Sequence, residues 1–193
     1  MVAQGQNFLT IVSGLPRSGT SLMMKMLEAG GMPVLVDNVR EADLDNPRGY
    51  YEFEPVKQTK ADASWVAPAV GKAVKMVYLL LLDLPRDHDY RVIFMRRNLD
   101  EVLASQKSML ERLGKTSPLD DARMAALFRD GLARFDAWVM GQPNFRLLDV
   151  SYNAMVTDPA PFVRDVNQFL GNGLDVDAMT RVVDPSLYRN RSN

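Results

Sequence analysis

A glycine-rich octapeptide near the start of the chain constrains the fold more than any other stretch. The sequence GLPRSGTS, residues 14–21, follows an apolar run at residues 8–13 and precedes apolar residues at helical spacing. A strand, a glycine loop and a helix in this order predict a phosphate-binding loop of the G-x-x-x-x-G-K-[ST] type. Ser21 fits that motif, but Thr20 stands where the motif has lysine, and the cation comes earlier, at Arg17.

The rest of the chain alternates predicted strands with predicted helices. Residues 91–95 are typical of a buried strand, and residues 145–150 also indicate a strand. Residues 34–36 allow another short strand, and residues 73–80 fit either a strand or a helix. This alternation predicts an α/β fold with a mainly parallel sheet flanked by helices, a P-loop-like three-layer α/β/α arrangement. We expect one domain over residues 1–193.

Several helix boundaries are marked by capping residues. Asn98 followed three residues later by Glu101 predicts a capping box at one helix start. Ser117 with Pro118 at the next position predicts the start of another helix. Asp158 is expected to begin a further helix, which ends near Phe-Leu-Gly at residues 169–171.

Composition argues against several classes of function. The formal net charge is -1, which gives no general basic field, so we expect no nucleic-acid partner. The chain has no cysteine and one histidine, which argues against thiol chemistry and against a multi-histidine metal site. We see no signal-peptide pattern and no apolar run long enough for a membrane span, so we expect a cytoplasmic protein.

The glycine loop predicts an anion site. Amides at a helix N-terminus attract phosphate, and Ser18, Thr20, Ser21 and Arg17 add hydroxyls and a cation. The missing lysine, and arginines rather than an aspartate after residues 91–95, argue against a Mg²⁺-bound nucleoside triphosphate. Three interpretations of the loop stay open at this point: a P-loop nucleotide kinase or NTPase with an altered loop, a non-catalytic nucleotide-binding module, or a plain glycine turn.

Two stretches together resemble one enzyme family. GLPRSGTS is similar to the 5′-phosphosulfate loop of sulfotransferases that use 3′-phosphoadenosine 5′-phosphosulfate (PAPS), and RRNLDEVLAS, residues 96–105, is similar to their 3′-phosphate element. The resemblance is weaker in two further places, the segment from residue 147 to 171 and the basic tail that contains Arg189 and Arg191. The nucleotide-binding residues that the resemblance implies are Pro16, Arg17, Ser18, Gly19, Thr20, Ser21, Arg97, Ser105, Tyr152, Arg189 and Arg191.

The resemblance also implies roles. Arg17 would reach the oxygen that bridges phosphorus and sulfur, where negative charge develops as the sulfuryl group leaves. Arg97 and Ser105 would bind the 3′-phosphate, and the donor would need no metal. The family's adenine-stacking tryptophan is missing after the loop, so an adenine contact is assigned to Tyr152, for which a packed core position is an equal alternative.

The general base and the acceptor are less defined. Where cytosolic relatives have a catalytic histidine this chain has KMVYLL, and His88 lies in a charged turn typical of the surface. The carboxylates in the region after the first helix are Asp37, Glu41, Glu52 and Glu54. We assign the catalytic base to Asp37 slightly ahead of Glu52, and Lys75 is a further candidate for charge stabilisation. The acceptor would be a small molecule or glycan with a hydroxyl or amine, in a site that a second copy of the chain, as a homodimer, could complete.

Overall fold

Four parallel strands form a single sheet. The computed structural model describes residues 6–37 and 51–184. Its strands are β1 (Phe8–Gly14), β2 (Ala73–Lys75), β3 (Asp89–Arg96) and β4 (Phe145–Ser151), in the order β2-β1-β3-β4. The predicted α/β class with a parallel sheet is therefore confirmed.

Helices connect the strands and cover the sheet. The α-helices in the described residues are α1 (Thr20–Ala29), α2 (Leu99–Arg112), α3 (Asp121–Val139), α4 (Tyr152–Thr157), α5 (Pro159–Phe169) and α6 (Val176–Val182). Short 3₁₀ helices span Glu54–Gln58, Ala67–Ala69 and Tyr78–Asp83. Among the helices described, none is long and apolar enough to cross a membrane.

The sheet separates two hydrophobic clusters, because side chains alternate between the faces of a strand. In β1, Val12 joins the cluster formed with α1, α5 and α6, whereas Ile11 joins the one formed with α2, α3 and the 3₁₀ segments. In β3, Ile93 and Phe94 divide in the same way. Helices therefore lie on both faces, which gives three layers.

The strand register aligns the carboxyl ends of the strands. Gly14 of β1 pairs with Met95 of β3, and Arg96 of β3 pairs with Ser151 of β4. Lys75, the last residue of β2, pairs with Val12. The loops that leave all four strands at this edge are neighbours, which is where ligands of parallel sheets bind.

The ambiguous residues 73–80 divide into two elements. β2 takes the first three, and the 3₁₀ helix Tyr78–Asp83 follows after a short extended link. Residues 34–36 do not form a strand, and Val34 makes one isolated bridge to Ala73. The short helices α4 and α6 were not predicted from the sequence.

The predicted start of α3 at Ser117 was wrong. The helix begins at Asp121, and the side chain of Asp120 accepts a hydrogen bond from the amide of Arg123. Ser117 instead closes a local turn, with its hydroxyl donating to the carbonyl oxygen of Leu119 at 2.7 Å. Both residue types are good N-caps, and the helix uses Asp120.

Candidate active site

The glycine loop joins β1 to α1 with three residues in left-handed or strained backbone. Gly14, Arg17 and Gly19 have φ values of 145°, 70° and 97°. Ser18 is buried and folds the loop on itself, because its hydroxyl donates to the carbonyl oxygen of Leu15 at 2.7 Å. The N-cap of α1 is Gly19, which has no side chain to cap the helix, and the first turn contains no acidic residue. This helix start retains the electrostatics of an anion site.

Tyr152 lies directly against the loop. A Cβ atom added to Gly19 would lie 2.3 Å from Cδ2 of the Tyr152 ring, so glycine is required there for packing as well as for its positive φ. Tyr152 is buried at the start of α4, and its burial raises the pKa of the phenol. The structure places this side chain beneath the loop, and its adenine contact stays a prediction.

The two stretches that resemble sulfotransferase phosphate sites meet in the structure. Nε of Arg17 donates to the Ser105 hydroxyl at 3.0 Å, and Nη1 of Arg97 donates to the carbonyl oxygen of Arg17 at 2.9 Å. Arg17 follows β1, Arg97 follows β3, and Ser105 is buried two turns along α2. Neighbouring parallel strands therefore bring the two arginines and the serine into one cluster.

A buried carboxylate lies behind Arg97. Oε2 of Glu101 accepts from Nε of Arg97 at 3.1 Å, and both side chains are largely buried. The Asn153 amide donates to both Glu101 oxygens at 3.0 Å, and its Oδ1 accepts from the backbone amide of Asn98 at 3.2 Å. Asn98 also caps α2, with its side chain accepting from the amide of Asp100. Tyr152 completes the group, because the Arg97 guanidinium lies 4.5 Å from its ring centroid.

Lys75 reaches the first turn of α1. It ends β2, and its Nζ lies 3.5 Å from Oγ of Ser21 in the first turn of α1. A cation thus reaches the loop although the lysine of the phosphate-binding motif is missing from position 20. Two cationic residues are therefore close to the start of α1: Arg17 precedes it in the loop, and Lys75 contacts Ser21 in its first turn.

The candidate bases lie together. The amide of Asp37 donates to the carbonyl oxygen of Glu52 at 3.0 Å, and Oδ2 of Asp37 accepts from the amide of Glu54 at 2.5 Å. Lys57 is nearby: its hydrogen bond with Glu54 raises its pKa, and the charges of Glu52 and Asp37 act in the same direction. The carboxylates therefore share one segment, after α1 and before β2.

The other predicted residues are placed as follows. His88 lies in the turn before β3, with Nδ1 within 2.8 Å of the exposed Asp87 carboxylate. Glu41, Arg189 and Arg191 lie outside the described residues. Within residues 6–37 and 51–184, no group of three or more acidic or histidine side chains is arranged to hold a metal ion.

The sequence reasoning missed Asn153 and the contacts of Glu101. Glu101 was expected only as the partner in a capping box, whereas it binds Arg97 and Asn153. One signal was present, because Asn153 lies two residues after the end of a strand and so belongs to the carboxyl edge of the sheet, as Arg97 does.

Comparison with known proteins identifies the class. The model of the sulfotransferase family matches residues 78–176, which is just over half of the chain and includes β3, α2 and α4. The chain belongs to the sulfotransferase family. No curated protein sequence matches it at a significant level.

Solved structures agree on the fold. Mouse sulfotransferase SULT7A1, complexed with PAP, superposes with a TM-score of 0.55 at 16% identity, over 93% of this chain and 63% of the mouse chain. The sulfotransferase domain from the curacin biosynthetic pathway gives 0.54 at 17% identity, over 92% and 78% of the two chains. Sulfotransferase STF1 from Mycobacterium tuberculosis H37Rv gives 0.53 at 17% identity, over 93% and 71%. The present chain thus spans less than two thirds of the mouse protein's length.

Proposed function

We propose that the protein is a sulfotransferase that moves the sulfuryl group of PAPS to a hydroxyl or amine of an acceptor. The observation that supports this most directly is the contact between the two phosphate elements through Arg17, Arg97 and Ser105. A glycine loop alone fits many anions. A loop whose arginine touches the serine of a second basic element fits a nucleotide with phosphates at both its 5′ and 3′ positions.

The side chains around the loop fit such a donor. Arg17 precedes α1 in the loop and Lys75 contacts Ser21 in its first turn, and the amides and hydroxyls of this helix start would hold the 5′-phosphosulfate. Arg97 and Ser105 would bind the 3′-phosphate, together with Arg189 and Arg191 of the tail. The mouse sulfotransferase is complexed with PAP, 3′-phosphoadenosine 5′-phosphate, which is what PAPS becomes when the sulfuryl group leaves.

Transfer is a displacement at sulfur. The acceptor oxygen or nitrogen forms a bond to sulfur, the bond from sulfur to the 5′-phosphate oxygen breaks, and the acceptor proton passes to a base. Charge develops on the departing oxygen, so a fixed cation at Arg17 stabilises the transition state more than the ground state. Much of the rate would come from positioning and charge stabilisation, without a metal ion.

Asp37 is the first candidate for the base and Glu52 the second. The Asp37 carboxylate is oriented by the amide of Glu54, and Glu52 is joined to Asp37 through the backbone. If Asp37 is the base, Asp37→Asn lowers turnover by about 10²–10⁴-fold at unchanged PAP affinity, and Glu52→Gln does not. Loss of turnover in Glu52→Gln alone would reverse the assignment.

The kinase alternative is not favoured. Thr20 occupies the lysine position, and β3 ends in arginines, where a triphosphate site would have a metal-binding aspartate. Arg96 at that strand end pairs with Asp136 at 2.5 Å and Asp149 at 2.7 Å, whereas Arg97 pairs with Glu101.

Thermal unfolding with three nucleotides tests the donor. PAP, ADP and Mg²⁺-ATP are added in parallel, each with and without EDTA. A ligand at a hundredfold excess over its dissociation constant adds about 2.7 kcal/mol to stability, or roughly 5–10 °C for a domain of this size. We expect the shift with PAP alone, unchanged by EDTA. A shift with Mg²⁺-ATP and none with PAP would refute the proposal and favour the kinase alternative.

A transfer assay separates an enzyme from a binding module. Radiolabelled [³⁵S]PAPS is incubated with a panel of phenols, sugars and amines, and labelled products are separated. We expect at least one labelled product, and its loss in Arg17→Ala. Tight PAP binding without any labelled product would favour the non-catalytic module.

A further inference from the structure

Glu101 is a carboxylate buried beside a site for anions. Among the residues that the structure describes, it is the one buried acidic side chain, at 2% exposure. A negative charge at this place repels a bound phosphate, and its burial costs solvation free energy. Because this carboxylate both repels an anion and is costly to bury, we expect it to have a compensating role, and its contacts indicate one.

Those contacts form a chain that ends at the loop. Glu101 accepts from Nε of Arg97, which fixes the guanidinium plane, and Nη1 of the same group donates to the carbonyl oxygen of Arg17. Arg17 is a non-glycine residue with φ of 70°, a backbone conformation that a side chain disfavours. The bond to its carbonyl oxygen is therefore well placed to hold the peptide that follows Arg17.

Asn153 holds Glu101 in turn. Its amide donates to both carboxylate oxygens, and its Oδ1 accepts from the amide of Asn98. The start of α4 is thereby tied to the start of α2. Hydrogen bonds to the carboxylate from two sides leave it one orientation, toward Arg97.

We infer that Glu101 is a positioning residue, which orients Arg97 so that Arg97 holds the left-handed backbone of Arg17 and keeps the anion loop ready for its ligand. The inference about the loop rests on the contacts alone, and its consequence for nucleotide affinity rests on the proposed function. Glu101 touches no reacting atom in this scheme. It acts through Arg97, and Asn153 acts through Glu101.

The test compares Glu101→Gln with Glu111→Gln, the same change at an exposed position of the same helix. Hydrogen exchange is followed in the unliganded protein for a peptide covering residues 14–23 and for a reference peptide covering β4. We expect exchange of the loop peptide to rise about tenfold in Glu101→Gln relative to the β4 peptide, and to stay unchanged in Glu111→Gln. An equal rise in both peptides would mean general destabilisation and would overturn the inference.

Nucleotide affinity is the second readout. We expect Glu101→Gln to weaken PAP binding, measured by calorimetry, by about 10- to 100-fold. This is the scale found for residues that orient the ligands of a metal site, which act in the same indirect way. Wild-type affinity in this variant would contradict the inference. If the wild-type protein itself does not bind PAP, the proposed donor is wrong, and the exchange experiment still decides the role of Glu101.

A double variant guards against a single variant that does not fold. Arg97→Gln/Glu101→Gln removes both charges, so no buried charge is left without its partner, and thermal stability should return toward that of the wild type. We expect the loop peptide to exchange fast in this protein nevertheless, because the bond from Arg97 to Arg17 is lost. A loop that regained wild-type exchange together with stability would show that the pair serves folding only.

Discussion

At the residue scale, the backbone and the side chain of Arg17 contribute separately to the structure. Its backbone takes a left-handed turn in the glycine loop, and its side chain joins that loop to Ser105 of α2. Replacement by alanine keeps a Cβ on this backbone and removes only the contacts of the guanidinium. The cation can therefore be tested without rebuilding the loop.

Arg17→Ala is expected to lower sulfuryl transfer by roughly 10²–10³-fold, the effect of losing one donor that stabilises developing charge. Because Ser105 keeps its place in α2, the free energy of unfolding should change little. The measurement is turnover of labelled PAPS with the best acceptor, next to Arg129→Ala on the exposed side of α3 as the control. Activity within a few-fold of the wild type would remove Arg17 from this role.

Gly19 and Gly114 form a matched pair for the loop's packing. Both have positive φ, but an added Cβ meets the Tyr152 ring at Gly19 and nothing within 4 Å at Gly114. We expect Gly114→Ala to lower the free energy of unfolding by about 1 kcal/mol, the backbone cost alone. Gly19→Ala should lower it by roughly 3 kcal/mol or more, because overpacking adds to that cost.

Urea unfolding of the two glycine variants gives these values directly. Equal losses would mean that Tyr152 moves away at little cost, and that the close approach of ring and loop is not what requires glycine at position 19. A larger loss at position 19 would support the packing of the loop on α4.

At the element scale, the start of α3 gives a direct comparison of two capping residues. Asp120 accepts from the amide of Arg123 at the helix start, whereas Ser117 bonds within a turn. We expect Asp120→Ala to cost about 1 kcal/mol of stability and Ser117→Ala less than about 0.5 kcal/mol. The measurement is urea unfolding, and the reverse order would place the helix start at Ser117 in solution.

The elements that sequence predicted are those with a strong local signal. β1 and β3 are apolar and mostly buried, which is the pattern of central parallel strands. β4 lies at the edge of the sheet and has a mixed sequence, but its apolar residues still indicated a strand. The start of α3 could not be chosen locally, because Ser117 and Asp120 both fit a cap. α4 and α6 are short, and their stability comes from packing against the sheet and α1 rather than from propensity.

The candidate site also has a part that the sequence predicted and a part that it did not. The meeting of the glycine loop with RRNLDEVLAS could be expected from the sequence, since loops at the carboxyl ends of parallel strands share one edge. The ion pair of Arg97 with Glu101, and the amide of Asn153 that supports it, could not. They depend on the distance between α2 and α4, which no local pattern encodes.

At the scale of the whole molecule, burial of phenols predicts how stability changes in alkali. Burial raises the pKa of four tyrosines above the usual value near 10, namely Tyr51, Tyr78, Tyr90 and Tyr152. A raised pKa in the folded state means that the unfolded chain loses these protons first. Their contribution to stability is therefore fully present below pH 10 and declines as the pH rises above it.

Tyr90 isolates this effect at one residue. It is 1% exposed, and its hydroxyl donates to the carbonyl oxygen of Pro85 at 2.8 Å. Tyr90→Phe should cost about 1 kcal/mol at pH 8 through the lost hydrogen bond. Above pH 10 the same variant should lose stability less steeply than the wild type, by about 1.4 kcal/mol per pH unit, because one ionising group has been removed from the unfolded chain. Urea unfolding at intervals from pH 8 to 11 measures both effects, and parallel curves for the two proteins would mean that Tyr90 ionises as readily in the folded state as in the unfolded one.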